Sequence, residues 1–140
     1  MSELLQIKNI MVNCKPDTKE NTIRKVGQLL VDSEYVNPHY IDAMLKREES
    51  FSTYLGNGLA IPHGIEESKK DIMSSGIAVL IVPEGVNWDG EKAQIIIGIA
   101  GVGDEHIDIL TRIAERMMEP DIIERLIKCS AKEIYQMFNC

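Results

Sequence analysis

Gly76-Ile77-Ala78-Val79-Leu80-Ile81-Val82-Pro83 is followed, after a short polar interval, by Ala93-Gln94-Ile95-Ile96-Ile97-Gly98-Ile99-Ala100. Both runs are nearly continuous in aliphatic residues, the pattern of strands buried on both faces. Pro83 has no N–H to give a ladder and is expected to end the first strand. Between the runs, Trp88-Asp89-Gly90 contains Asp-Gly, a strong signal for a two-residue hairpin turn. A hairpin makes the sheet mixed rather than purely parallel. Two covered faces require helices on each side of it.

Those helices are legible on either side of the strand pair. Upstream, Leu4 to Ile10 reads as an edge strand or extended arm. Asp17 followed by Glu20 resembles a capping box, opening a helix with Ile23, Val26, Leu29 and Leu30 on one face and ending near Ser33. Asn37-Pro38 is a second helix start, with Asn as cap and Pro at the first helical position. Tyr40, Ile41, Met44 and Leu45 carry this helix to about Glu49, with His39 on its surface. Leu59-Ala60-Ile61 reads as a short buried strand stopped by Pro62, and Glu66 to Asp71 as a charged loop with one helical turn. Downstream, Gly101-Val102-Gly103 makes a flexible bend. Asp104 caps a helix from Glu105 to about Met118, with Ile107, Leu110, Ile113, Ala114 and Met117 inward. Two more helices span Asp121 to Lys128 and, capped by Ser130, Ala131 to Phe138. The expected architecture is a three-layer α/β domain, a mixed β-sheet flanked by helices on both faces, with residues 1–140 as a single domain.

Composition narrows the function. Hydrophobic residues are 44%, charged residues 26% and aromatic residues only 5% of the 140, so the core is aliphatic. A net charge of −7 without a basic stripe argues against nucleic acid and against an anionic membrane surface. No apolar run reaches the roughly 18 residues of a membrane span, and Met1-Ser2-Glu3 opens no signal-peptide pattern. Cys14, Cys129 and Cys140 are far apart, with no Cys-x-x-Cys pair, and read as reduced thiols of a cytoplasmic protein.

Chemistry concentrates in Phe51-Ser52-Thr53-Tyr54-Leu55-Gly56-Asn57-Gly58-Leu59-Ala60-Ile61-Pro62-His63-Gly64. His63 stands where a rigid strand gives way to a loop, with Gly64 allowing a sharp turn. Arg47 ends the preceding helix. His106 lies in the first turn of the helix after the glycine bend, where free N–H groups favour an anion. If that bend leaves a strand lying beside Leu59–Ile61, the two histidines meet at one sheet edge, the usual ligand position in α/β sheets. Spacing alone leaves three readings open. A metal site lacks a third ligand fixed by a motif. Two histidines unrelated to any site remain possible. Phosphoryl chemistry would use a neutral imidazole as nucleophile, with Arg47, His106 and helix N–H groups stabilising charge.

Glu48, then Leu55-Gly56, then Leu59-Ala60-Ile61-Pro62-His63-Gly64 resemble the phosphohistidine signature of the mannitol/fructose-type Enzyme IIA of the bacterial phosphoenolpyruvate-dependent sugar phosphotransferase system. Glu34-Tyr35-Val36-Asn37-Pro38, Met44-Leu45-Lys46-Arg47-Glu48, Ser52-Thr53-Tyr54-Leu55-Gly56-Asn57 and Gly103-Asp104-Glu105-His106-Ile107 resemble further recurring segments of that family, so the likeness covers nearly the whole chain. It is nearest to the mannitol-type branch. The resemblance implies a phosphotransferase component without cofactor or metal. In it His63 is phosphorylated by the histidine-containing phosphocarrier protein and passes the group to a cysteine of Enzyme IIB, for mannitol uptake. His106 and Arg47 match the active-site residues that stabilise the phosphoryl group. Fructose-type or nitrogen-regulatory work, with His63 as a phosphorylation-state sensor, is the alternative. Asn57-Gly58 departs from the pattern, since some mannitol-type members carry an acidic residue there.

The chemistry asks that His63 attack through Nε2 while Nδ1–H is held by a local carbonyl, which adds no charge. No Cys-led phosphate loop and no membrane segment occur on this polypeptide, so a free-standing IIA protein is expected, with Enzyme IIB and IIC as separate partners. Leu59, Ile61 and Ile65 form the candidate apolar docking rim or, equally, belong to the core.

Overall fold

The computed structural model describes residues 4–138; the readings of Met1-Ser2-Glu3 and of Cys140 fall outside them. In chain order the elements are β1 (Ile10–Met11), α1 (Lys19–Asp32), α2 (His39–Ser50), β2 (Tyr54–Gly56), β3 (Leu59–Ala60), β4 (Gly76–Trp88), β5 (Glu91–Ala100), α3 (Glu105–Arg116), α4 (Ile122–Ile127) and α5 (Ala131–Phe138). Short 3-10 turns occupy Ile7–Asn9 and Glu66–Asp71. The sheet has five strands in the order β1-β4-β5-β3-β2. β4 and β5 are antiparallel, while β1 on β4 and β3 on β5 are parallel. The mixed sheet expected from the Asp-Gly hairpin is therefore present. Asp89 and Gly90 both take positive φ, 55° and 96°, as a type I′ turn requires.

The period-two alternation of β4 assigns its side chains to two cores. Ala78, Leu80 and Val82 pack with Ile23, Val26, Leu30 and Met44 from α1 and α2. Ile77, Val79 and Ile81 pack on the opposite face with Ile109 and Ile113 of α3, Leu126 of α4 and Ile134 of α5. Each fully buried Leu or Ile contributes about 1.5–3 kcal/mol, so continuous apolarity here reflects helices on both sides. Cys14 and Cys129 are free thiols. Among the described residues no helix is long and apolar enough to cross a membrane.

Several local expectations are corrected. β4 does not end at Pro83 but runs on to Trp88. Its register with β5 shifts between Ile81 and Val86, and at such an irregularity the missing N–H costs no ladder bond. The Pro83 carbonyl instead accepts from Gln94 Nε2 at 2.8 Å. The cap of α1 is Thr18, whose side chain accepts from the Asn21 amide, with Asp17 bonded to the Asn21 side chain. α2 begins at His39 after Pro38, and the Asn37 side chain accepts from the His39 amide at 3.0 Å. Asp104 makes no capping bond to α3. Ile107, expected inward, is exposed, and Ile109 takes the core position. β2 escaped the sequence reading although Asn57-Gly58 announces it. Those residues form the tight turn between β2 and antiparallel β3, both with positive φ.

Candidate functional site

β3 pairs with β5 through Leu59 and Ala60, and the extended run does not stop there. The Ile99 amide donates to the Pro62 carbonyl at 3.0 Å, and His63 bridges Ile99 in parallel register. Pro62 thus costs the edge nothing, because the position uses its carbonyl rather than an N–H. Gly64 follows, and it does not turn the chain through a left-handed conformation. Its role is close approach: a Cβ there would lie 2.4 Å from Ser68 Oγ and 2.6 Å from Tyr40 Cε1. The Gly64 amide donates to the Tyr40 hydroxyl at 2.9 Å, and that hydroxyl donates to the Ile99 carbonyl at 2.8 Å. Burial pushes the Tyr40 phenol up to about 12, so it stays a neutral donor at the back of the loop.

The His63 ring is held by the chain that carries it. Nδ1 lies 2.8 Å from the Ile61 carbonyl. A carbonyl only accepts, so Nδ1 carries the proton and Nε2 keeps its lone pair. The ring is half-buried rather than sealed. Burial holds its pKa below the ordinary imidazole value. The Ile61 hydrogen bond opposes that shift, the Arg47 and His106 charges add to it, and Glu48 opposes it again. The product is a neutral imidazole with a free Nε2, within electrostatic reach of Arg47 and His106.

Arg47 sits in the last turn of α2, where its Nη1 donates to the Phe51 carbonyl at 3.1 Å. The guanidinium lies over the exposed Phe51 ring, 5.8 Å from its centre. His106 occupies the first turn of α3, with Nδ1 3.3 Å from the Gly103 carbonyl. Gly101 makes that placement possible, because a Cβ would lie 2.4 Å from the His106 amide nitrogen. The bend before α3 is pinned rather than loose: Ser75 Oγ accepts from the Val102 amide at 2.9 Å and bonds the Glu105 carboxylate. β3 and β5 are parallel neighbours, so His63 and the bend leading to His106 share the carboxyl end of both strands. Arg47, His63 and His106 are brought to one end of the sheet, close enough that two of them act on the charge of the third.

Other readings change. Leu59 and Ile61 are core residues, 4% and 6% exposed, the second of the two readings offered for them, while Ile65 is half-buried. The apolar side chains that reach solvent here are Phe51, Val102 and Ile107, on the segments carrying Arg47 and His106. His39 is exposed on α2. Among the described residues no group of three or more His, Cys, Asp or Glu side chains is placed to hold a metal. Asn57 turns the chain at the far end of the run that ends in His63, roughly 13 Å or more away at the rise of a strand. An acidic residue there would reach the imidazole only through a long-range field. Tyr40 and Ser75 were missed by sequence reasoning. A tyrosine at an inward helical position is a signal for the first, since a buried hydroxyl needs a partner; nothing local marks the second.

The model of the family described as phosphoenolpyruvate-dependent sugar phosphotransferase system, EIIA 2, matches residues 3–140. The mannitol-specific phosphotransferase enzyme IIA component of Staphylococcus aureus (strain N315) is 45% identical over 140 residues, covering 99% of this chain and 97% of the relative. Its namesake in Halalkalibacterium halodurans is 46% identical over 132 residues, covering 94% and 91%. The crystal structure of IIA mannitol from Escherichia coli superposes with a TM-score of 0.88 at 38% identity, covering 96% of this chain and 98% of that one. The structure of the Escherichia coli complex of enzyme IIAMtl with phosphorylated enzyme IIBMtl matches with a TM-score of 0.90 at 37% identity, covering 96% of each chain.

Proposed function

The chain belongs to the EIIA 2 family of the phosphoenolpyruvate-dependent sugar phosphotransferase system, and from that premise we propose that it is the mannitol-specific phosphoryl carrier, with His63 as acceptor. Residues 1–140 act as one Enzyme IIA unit in the cytoplasm. The observation that carries the reading is the anchored ring: Nδ1–H is committed to the Ile61 carbonyl, which leaves Nε2 as the nucleophile.

The histidine-containing phosphocarrier protein brings the phosphoryl group as a phosphohistidine. The Nε2 lone pair of His63 forms a new N–P bond while the donor's N–P bond breaks and its imidazole leaves neutral. No proton need move, because His63 retains Nδ1–H against Ile61 throughout. A cysteine thiolate of Enzyme IIB then attacks phosphorus, forming S–P as the His63 N–P bond breaks. Arg47 and His106 flank the reacting group and balance the negative charge on its equatorial oxygens. Both are partly open to solvent, so they favour the transition state without trapping the phosphohistidine. Phe51, Val102 and Ile107 give the two partners an apolar landing surface around the ring. The mannitol assignment rests on the names of the relatives and on the complex with a IIB partner described for one of them.

Reconstitution tests this. The protein is mixed with phosphoenolpyruvate, Enzyme I and the phosphocarrier, and an acid-labile, base-stable adduct is sought. The expected adduct forms on wild type and is absent from His63→Ala. An undiminished adduct on that variant sinks the assignment. Membranes carrying mannitol or fructose permease components then identify the sugar by which pairing turns over.

A further inference from the structure

We infer that Glu48 is a positioning residue for His63 and Arg47, holding both through one buried hydrogen-bonded strap; the inference rests on His63 being the reactive ring. Glu48 lies on α2 next to Arg47 and is 5% exposed. A carboxylate so buried is destabilising unless its lone pairs are satisfied. Here Oε2 accepts from the Thr53 amide at 2.8 Å and from Trp88 Nε1 at 3.3 Å, and Oε1 accepts from Thr53 Oγ1 at 2.5 Å. Three donors, two from Thr53 in the loop after α2 and one from Trp88 of β4, converge on one side chain.

What Glu48 grips is the segment both site residues depend on. The Thr53 carbonyl accepts from the Ile61 amide at 3.0 Å. The carbonyl of that same Ile61 fixes Nδ1–H of His63. Hydrogen bonds therefore link the carboxylate to Thr53, Thr53 to Ile61, and Ile61 to the imidazole in series. Successive bonds use different peptide units of Thr53 and Ile61, so the carboxylate acts by fixing the backbone geometry of the strap. The strap also begins at Phe51, whose carbonyl holds the Arg47 guanidinium. Releasing Thr53 loosens the Arg47 anchor and the peptide behind His63 together. Glu48 opens the phosphohistidine-like signature in the sequence, and the strap gives that position a physical purpose.

The test uses Glu48→Gln, which keeps the volume but replaces one acceptor with a donor, and Thr53→Val, which removes only the hydroxyl. Nitrogen-15 and proton NMR of the unphosphorylated protein reads the His63 ring directly. The charged groups facing that ring are Arg47 and Glu48 from α2 and His106 from α3; the neutral Tyr40 phenol lies behind Gly64. Glu48→Gln is expected to lose the protected Nδ1–H resonance, to mix the two tautomers, and to move the His63 titration to lower pH. Thr53→Val is expected to weaken the same resonance with a smaller titration shift. Phosphoryl acceptance in Glu48→Gln should fall roughly tenfold, as for other residues that orient a reactive imidazole. An unchanged His63 tautomer and titration in folded Glu48→Gln overturn the inference, as they do in Thr53→Val should the first variant not fold. If instead wild type takes no phosphoryl group on His63, the carrier reading fails, and the NMR comparison still decides the strap.

Discussion

The Tyr40 hydroxyl accepts the Gly64 amide hydrogen at 2.9 Å while donating to the Ile99 carbonyl, so one side chain of α2 ties the residue after His63 to the neighbouring strand. Tyr40→Phe keeps the ring in its core place but leaves a buried amide and a buried carbonyl without their partner. The expected loss is about 1–3 kcal/mol of stability, read as a lower urea midpoint with an unchanged slope. Phosphoryl acceptance should fall as well, because the 63–64 peptide is no longer tied. A variant as stable as wild type would show that water replaces the hydroxyl.

Gly64→Ala tests close packing rather than turning. The new methyl meets Ser68 Oγ at 2.4 Å and Tyr40 Cε1 at 2.6 Å, too near for either to remain in place. Overpacking of this kind costs about 1–3 kcal/mol, and relief comes by pushing the 63–64 peptide outward. The double variant Gly64→Ala, Ser68→Gly should recover part of the stability in thermal unfolding. No recovery would locate the strain at Tyr40 instead.

Gly101→Ala addresses the second histidine. Its methyl would lie 2.4 Å from the His106 amide nitrogen and 2.5 Å from its Cα, so the first turn of α3 must retreat from the end of β5. Expected are a protein that folds and a slower phosphoryl transfer, resembling His106→Ala in kinetics. Wild-type rates would mean that His106 tolerates the shift and contributes little.

The strand pair was legible because burial on both faces leaves a chemical trace: Ile95, Ile96 and Ile97 point alternately into different cores, and each needs to be apolar. The glycine and proline punctuation was less reliable. Pro83 reads as a stop, but a register shift in β4 absorbs it; Gly64 reads as a turn, but the structure uses it for its missing Cβ. His63, Arg47 and His106 were proposed as site residues from residue type and from resemblance. The groups proposed to set their geometry were not, because Tyr40, Ser75 and the Trp88 donor to Glu48 act across separations that no local pattern records. Ile107 fits the helical period of α3 and yet faces solvent, since period alone does not say where an apolar stripe ends.

Arg47 and His106 should separate from His63 in kinetics. With His63 as the proposed nucleophile, His63→Ala is expected to abolish the adduct. His106→Ala and Arg47→Ala keep the anchored ring, so His63 remains phosphorylatable while transfer slows by about 10²-fold, the scale for removing one preorganised charge-stabilising donor. Rapid-quench measurement of both half-reactions checks this. Unchanged rates to both partners would remove the variant residue from the site.

The pH dependence of folding reports the state of His63 independently of partners. Its pKa in the folded protein lies below the ordinary imidazole value of 6.5, chiefly through burial. Below about pH 6.5 the unfolded chain takes up a proton at this position while the folded chain still refuses it. The unfolded state then binds more protons, so stability rises with pH across this window and falls as pH drops toward the folded pKa. Above it both states are neutral and the contribution is constant. His63→Gln removes this contribution while leaving His39 and His106 in place, so the difference between the two proteins isolates one ring. Urea midpoints measured from pH 7.5 down to about 5 should fall more steeply for wild type than for the variant. Parallel curves would mean that the ring protonates as easily in the folded chain as in the unfolded one, and a ring that does so near neutrality is a poor nucleophile for a phosphoryl group.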